Sequence, residues 1–498
     1  MHFQVMAKPS GASCNLGCTY CFYTEKENLY DGPGPFRMPP EVLESFIRQY
    51  IECQDTPEVQ FAWQGGEPAL LGIDYFRSVV SLQEKYAGGK KVTNTIQTNG
   101  TLLTDDWCRF FKKHGFLVGL SIDGPRKLHD RYRVKGNGRP TFDTVMSGLA
   151  LLREHKVAFN TLTVVNDHNS LQPLEVYRFL KKIADGHMQF IPAVERLPND
   201  AADYLGLSLA VPPFPGDRAG DSRLTPWSVS PEQLANFYVS IFDEWVRHDV
   251  GTVFVQFFDV ALGNWLGAGS GLCHFSPKCG MAGALEHNGD LYSCDHYVYP
   301  GHRLGNILET PLAELMASAT QRRFGSAKMD SLPACCTVCE VRPACHGDCP
   351  KHRFAETPEG RPGLSYLCEA YKAIFSHMAP YLKAMADLIQ AGRPAPDIMR
   401  ILRQQGMNRP ASAPGRNAPC PCGSGKHYSE CCGPLHDGST TAKTAEALMR
   451  ARYSAFVVGN EDFLQLSWHA STRPQRVLEK DADKTQWSGL KIIDCVKG

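Results

Sequence analysis

The chain has 498 residues, 43% hydrophobic and 21% charged, and its 52 basic side chains balance 52 acidic ones. That is a globular composition, and zero net charge argues against a protein whose main task is coating nucleic acid or an anionic membrane. No apolar run is long enough to span a bilayer, and the N-terminal MHFQVMAKPSGASC lacks the charged-then-apolar order of a signal peptide, so a cytoplasmic, reducing setting is expected.

Along residues 1–195, strand-like segments at 3–7, 58–64, 92–97, 116–122, 157–164 and 188–192 alternate with helix-like segments at 40–53, 73–86, 105–114, 142–155 and 171–184. Strict alternation predicts an α/β fold with a parallel sheet, and six units predict a partial (β/α)6 TIM-type barrel. A Pro, Gly and Asp-rich loop is expected over 196–230, and Ser230-Pro231-Glu232 then opens a helix to about residue 248, with Ser at the N-cap and Pro at the first helical position. Residues 273–370 hold half the cysteines and little predicted regular structure, so metal chelation is expected to organise them. Residues 371–405 look helical, and the composition of 406–419 is that of a flexible tether. The expected domains are 1–230, the barrel; 231–385, a cysteine-rich domain with helices; 386–415, a linker; and 416–498, a small module.

The chain has 19 cysteines, at 14/18/21, 273/279/294, 335/336/339/345/349/368 and 420/422/431/432, with Cys53, Cys108 and Cys495 standing apart. Short spacings in a long chain without a secretory signal read as metal sites rather than disulfides. Cys14, Cys18 and Cys21 follow the first strand. A cubane cluster takes four ligands, so three thiolates leave one iron open for chemistry. A zinc knuckle lacking its fourth ligand is the bland alternative. Polar, Gly-containing segments end the next three strands: Gln64-Gly65-Gly66-Glu67-Pro68, Gln97-Thr98-Asn99-Gly100 and Ser121-Ile122-Asp123-Gly124. In a parallel barrel they converge on one mouth.

CNLGCTYCFY resembles the CxxxCxxC signature of the radical S-adenosylmethionine (SAM) enzymes. The resemblance implies that Cys14, Cys18 and Cys21 hold a 4Fe–4S cluster whose open iron binds S-adenosylmethionine. It also implies cofactor contacts from Tyr20, Gly65, Gly66, Ser121, Arg133 and Val194, although Arg133 in RYRVKGNGR reads equally well as a surface charge. The cysteines from 273 to 368 resemble the SPASM extension with its two auxiliary clusters. That likeness implies Cys273, Cys279, Cys294 and Cys349 for one cluster, and Cys336, Cys339, Cys345 and Cys368 for the other. Cys335 is left as a neighbour, and two structural zincs would fit the spacing almost as well.

LYSCDHY places Asp295 directly after Cys294 and is similar to the general-base segment of the anaerobic sulfatase-maturating enzymes. QFIPAVER and the order of the eleven cysteines belong to the same likeness. The implied reaction oxidises a cysteine or serine in a C/S-x-P/A-x-R segment of a sulfatase to Cα-formylglycine. Asp295 would be the base and the auxiliary clusters electron acceptors, with a donor such as flavodoxin or ferredoxin. A SPASM-type maturase forming thioether or carbon–carbon crosslinks, and a non-catalytic zinc-rich scaffold, are the alternatives. Cys420-Pro-Cys422-Gly-Ser-Gly-Lys and Cys431-Cys432 resemble the SEC-C motif. All four thiolates are expected to hold one zinc, followed by a partial NTF2-like segment. No nucleic-acid or membrane partner is expected.

Overall fold

The computed structural model describes residues 3–32, 34–214, 223–269, 271–407, 418–469, 473–474 and 490. Cys495 and residues 408–415 of the expected linker lie outside them. The chain divides into two compact units, Met1–Met399 and Arg400–Gly498.

The first unit is built on one sheet. Strands β1 (Gln4–Lys8), β2 (Glu58–Trp63), β3 (Lys91–Thr98), β4 (Leu117–Ser121), β5 (Phe159–Val165) and β6 (His187–Pro192) lie side by side and parallel. Each falls within two residues of its expected position, as do the intervening helices Pro40–Cys53, Ile73–Tyr86, Asp105–His114, Phe142–Glu154 and Pro173–Ile183. The local reasons are readable. Thr104 accepts from the Trp107 N–H to start one helix, and Gly115, in the left-handed region at φ +65°, ends it. Phe61 and Trp63 point to the same face of β2, stack at 5.7 Å and pack against Phe46. Burying each such ring contributes about 2 kcal/mol.

The sheet does not stop at six strands. β7 (Phe254–Val255) pairs parallel with β6 at one edge. At the other edge β8 (Ala282–Glu286) pairs parallel with β1, and β9 (Asp290–Tyr292) and β10 (Arg303–Asn306) continue antiparallel, making ten strands. The cysteine-rich stretch therefore carries more regular structure than expected. The AGALE and DLY segments are short but almost wholly buried, and that burial gives them a place in the sheet. Pro231–His248 is the expected helix, and Ser230 and Gln233 form a reciprocal capping box. Within the expected 196–230 loop, Asp200–Tyr204 is helical and Arg196 bridges Leu224, while 215–222 lie outside the described residues. Two helices, Cys368–Gln390 and Asp397–Met407, fill most of the stretch expected to be helical, and the second lies within the expected linker. Their apolar residues, Leu382, Met385, Leu388 and Ile398 among them, are buried. Among the described residues no helix is long and apolar enough to cross a membrane.

Because β1 to β6 and β8 run the same way, their C-terminal ends share one side. Lys8, Trp63, Thr98, Ser121 and Glu286 end β1, β2, β3, β4 and β8 there, where parallel barrels keep their chemistry.

Candidate active site

The loop after β1 carries Cys14, Cys18 and Cys21 and is tied to its surroundings through the backbone. The Gly66 N–H donates to Gly11 O (2.7 Å) and the Glu67 N–H to Ser13 O (2.8 Å). On the other side the Gly17 and Thr19 N–H groups donate to Val134 O and Tyr132 O. A Cβ on Gly66 would lie 2.0 Å from Ser13 O, so only glycine permits this approach. Gly65 sits beside it at φ +142°.

Burial pushes the Cys14 thiol up to about 12 and Cys18 up to about 11, and raises Cys21 as well. Three sheltered thiols at one loop become thiolates only when a metal centre supplies positive charge. The donor set therefore fits an iron–sulfur cluster with one ligand position left over. The Asn99 side-chain amide reaches towards Cys14 Sγ (3.9 Å) and donates to Asn15 Oδ1 (2.9 Å).

Two polar groupings flank the loop. Arg133 is buried rather than a surface charge: its Nε lies 3.0 Å from Asp123 Oδ1, and Asp123 is wholly buried. The Tyr20 hydroxyl donates to the other Asp123 oxygen, and the Val164 N–H donates to Oδ1 (2.9 Å). Asp123 thus draws Tyr20 and Arg133 together, two residues beyond Ser121 at the end of β4. Glu67 is buried and accepts from Thr98 Oγ1 (2.7 Å), Asn99 N (2.7 Å) and Ala69 N (3.0 Å), while burial lifts its carboxyl to about 6. Asp123 and Glu67 were legible only as polar strand-end residues; what singles them out is burial with a full set of partners. Val194 is buried just beyond β6, next to Ala193, whose N–H donates to Val165 O (2.8 Å).

Asp295 follows Cys294, and its carboxylate forms an ion pair with Lys8, the last residue of β1. Lys8 is almost fully buried, donates to Gln64 Oε1 (2.8 Å) and lies 4.1 Å over the Tyr23 ring. Burial works to raise Asp295, but Lys8, His296 and Lys351 outweigh it and hold the carboxyl below the usual range. Asp295 is therefore an ionised carboxylate at the same mouth as the three-cysteine loop. Lys351 in turn pairs with Glu195 and stands over the Phe22 ring at 4.7 Å. Nothing in the sequence singled out Lys8, since a lone lysine at a strand end carries no motif.

The remaining cysteines of this unit fall into two electrostatic neighbourhoods. Burial raises Cys294 well above its ordinary value, with Cys349, Cys273 and Cys279 as its thiol neighbours. Cys368 stands with Cys339 and Cys335, and Cys345 with Cys368 and Cys336. The first offers four thiols and the second five, enough in each for a fully ligated cluster. Cys335 and Cys336 both face the second.

The second unit has its own centre. The sulfurs of Cys420, Cys422, Cys431 and Cys432 all lie within 4.8 Å of one another, on a hairpin in which Pro419 bridges His427. Burial opposes ionisation of Cys420, but N–H groups of Cys422 and Cys432 and the Ser454 hydroxyl bring it down to about 7. His436 is otherwise engaged. Its Nε2 contacts Ala451 O (2.8 Å), a carbonyl that can only accept, so Nδ1 accepts from the Tyr428 hydroxyl (2.7 Å). Four thiols, with no competing ligand among the described residues, fit tetrahedral zinc.

The sequence matches the radical SAM superfamily over residues 9–180, an iron–sulfur cluster-binding (SPASM) domain over 273–340, the SEC-C motif over 416–434 and the middle NTF2-like domain of YchJ over 444–498. A serine-type anaerobic sulfatase-maturating enzyme of Bacteroides thetaiotaomicron is 46% identical over 80% of this chain and 95% of its own. A serine-type enzyme of Klebsiella aerogenes is 35% identical over 78% and 88%, and a cysteine-type enzyme of Clostridium novyi 31% over 75% and 94%. Native anSMEcpe with bound AdoMet, a solved structure, superposes with a TM-score of 0.67 at 29% identity, covering 77% of this chain and 99% of that one. The same enzyme with bound AdoMet and Cp18Cys peptide gives 0.67 at 30%, covering 78% and 99%. Joined to the three-thiol loop and its convergent strand ends, these likenesses place the chain in the anaerobic sulfatase-maturating enzymes, a family of radical SAM enzymes.

Proposed function

We propose that the chain oxidises a serine or cysteine within a C/S-x-P/A-x-R segment of a sulfatase to Cα-formylglycine. The observation that carries this reading is Asp295, ionised, adjacent in sequence to a cluster cysteine and held by Lys8 at the barrel mouth. Bound S-adenosylmethionine and clusters supply the one-electron chemistry, a hydrogen-abstracting radical at the first cluster and an electron sink at the auxiliary ones. The chain's own residues do the rest. Tyr20, Gly65, Gly66, Ser121, Arg133 and Val194 would line the cofactor's place, and Cys14, Cys18 and Cys21 would hold the cluster whose open iron binds it. Cys273, Cys279, Cys294 and Cys349 hold one auxiliary cluster, and Cys336, Cys339, Cys345 and Cys368 the other.

Once the substrate Cβ has lost a hydrogen atom, Asp295 takes the proton of the side-chain heteroatom, and one electron leaves the carbon. Lys8 keeps Asp295 charged and fixed until that moment. Serine is the favoured target, because the serine-type relatives at 46% and 35% identity stand above the cysteine-type one at 31%. A cytoplasmic flavodoxin or ferredoxin supplies the reducing electron, and the four C-terminal thiols hold zinc.

The test is anaerobic incubation of the reconstituted protein with S-adenosylmethionine, reductant and serine or cysteine versions of the peptide, followed by mass measurement. Loss of two hydrogens from serine, faster than exchange of sulfur and two hydrogens for oxygen in cysteine, is the expected result. Asp295→Asn should abolish both products while S-adenosylmethionine is still cleaved. Formylglycine formed by that variant would refute the role of the base.

A further inference from the structure

Lys328 lies on the helix Ala319–Asp330 and is wholly buried. Its ammonium donates to the main-chain carbonyls of Cys273 (3.0 Å) and His274 (2.8 Å). The charged groups facing it are Cys279, Cys349, Arg353 and Asp348. Asp348 is turned to His352 and Ser365, each at 2.9 Å. Arg353 directs its N–H groups to the carbonyls of Lys328, Gly347 and His346. Among the described residues the Lys328 ammonium thus has carbonyl dipoles around it but no carboxylate bonded to it. A buried charge in that state costs several kcal/mol unless an anion stands close by. The anions that face it are the buried Asp348 carboxylate, held on one oxygen by His352 and Ser365, and the thiolates that Cys279, Cys349 and their companions Cys273 and Cys294 would carry on binding a cluster.

We propose that Lys328 is the counter-charge of the cluster held by Cys273, Cys279, Cys294 and Cys349, and that it raises that cluster's reduction potential. The inference rests on the ligand assignment proposed above. A cluster ligated by four thiolates is anionic, and reduction adds one more negative charge. A fixed ammonium inside the low-dielectric surroundings stabilises the reduced form more than the oxidised one. The consequence is directional. With the cluster in place, it would be the acceptor for the electron that leaves the substrate carbon, to be passed on before the next turnover, while Asp295, next to its ligand Cys294, takes the proton.

Lys328→Met and Lys328→Gln remove the charge, whereas Lys328→Arg keeps it. The full chain is reconstituted anaerobically, and iron content and the midpoint potential of each cluster are read by metal analysis and EPR-monitored redox titration. Wild type should hold about twelve irons per chain. A wild type without the cluster at 273–349 refutes the ligand assignment itself, and this inference falls with it. With that cluster present, Met and Gln should shift one midpoint to more negative potential and Arg should leave it near the wild-type value. Loss of about four irons in Met and Gln but not in Arg supports the same role, since the charge is then needed to retain the anion. An unchanged midpoint in Met or Gln, an equal shift in Arg, or equal iron loss in all three overturns the proposal.

Discussion

Lys8 and Asp295 meet across 287 positions of sequence, one ending β1 and the other directly following Cys294. Their pairing makes a pH prediction with a definite sign. Asp295 is held below the ordinary carboxylate range, by Lys8 first among the attractive charges and against the opposing effect of burial. The base is therefore ready wherever pH exceeds that low value, and it is lost only as pH falls through it. Replacing Lys8 with Met removes the attraction and leaves the burial. The acid limb of the rate profile should then move up by about one unit or more, with turnover at neutral pH reduced. A limb that stays in place would show that Lys8 does not govern Asp295. Of the pair, only Asp295 was legible, because it sits in a motif. The same contrast separates Cys18 from Arg133: spacing announces the thiol, but only the buried Asp123 beside it shows that Arg133 belongs inside.

At the scale of elements, the six strands and five helices of the barrel were legible because each signals itself locally, by alternation, apolar periodicity and caps. β8, β9 and β10 were not. They are five, three and four residues long, and β8 finds its partner β1 more than 270 residues away. No local pattern reports such a pairing. The GGEP turn is intermediate, since the sequence shows two glycines but not which one is squeezed. Gly66 is that one, with backbone rather than a flexible side chain in the way. Gly66→Ala should displace the three-cysteine loop while leaving the sheet intact. Iron should fall from about twelve to about eight atoms per chain, with an unchanged circular dichroism spectrum and no S-adenosylmethionine cleavage. Retention of full iron would mean that the loop tolerates the displacement. Glu67 on the same turn accepts three bonds and donates none. Glu67→Gln forces an amide N–H against a donor, at a cost of about 1–3 kcal/mol, which a lowered thermal midpoint would register.

For the whole molecule, the division at Met399 and Arg400 separates two kinds of metal chemistry. The first unit contains every residue proposed for catalysis, and the similarity to the Bacteroides enzyme covers 80% of this chain but 95% of that one. The tail is thus an addition to a framework that the relatives have nearly complete without it. Among its described residues the core is small: Cys420, Cys422, Cys432 and Ala451 are buried together, with Tyr428, Leu435 and Phe463 packed around them. So few apolar groups give little folding energy, and metal binding to the four thiols must provide much of it. Two outcomes follow from that imbalance. Cys431→Ser, which removes one ligand at the hairpin, should release the zinc and unfold the tail, seen as protease sensitivity confined to residues beyond 400. Iron content, S-adenosylmethionine cleavage and formylglycine formation on a short peptide should stay within about twofold of wild type, because residues Met1–Met399 form a compact unit of their own. A parallel loss of iron and peptide turnover would instead show that the zinc module supports the barrel, and that the two metal chemistries are folded as one.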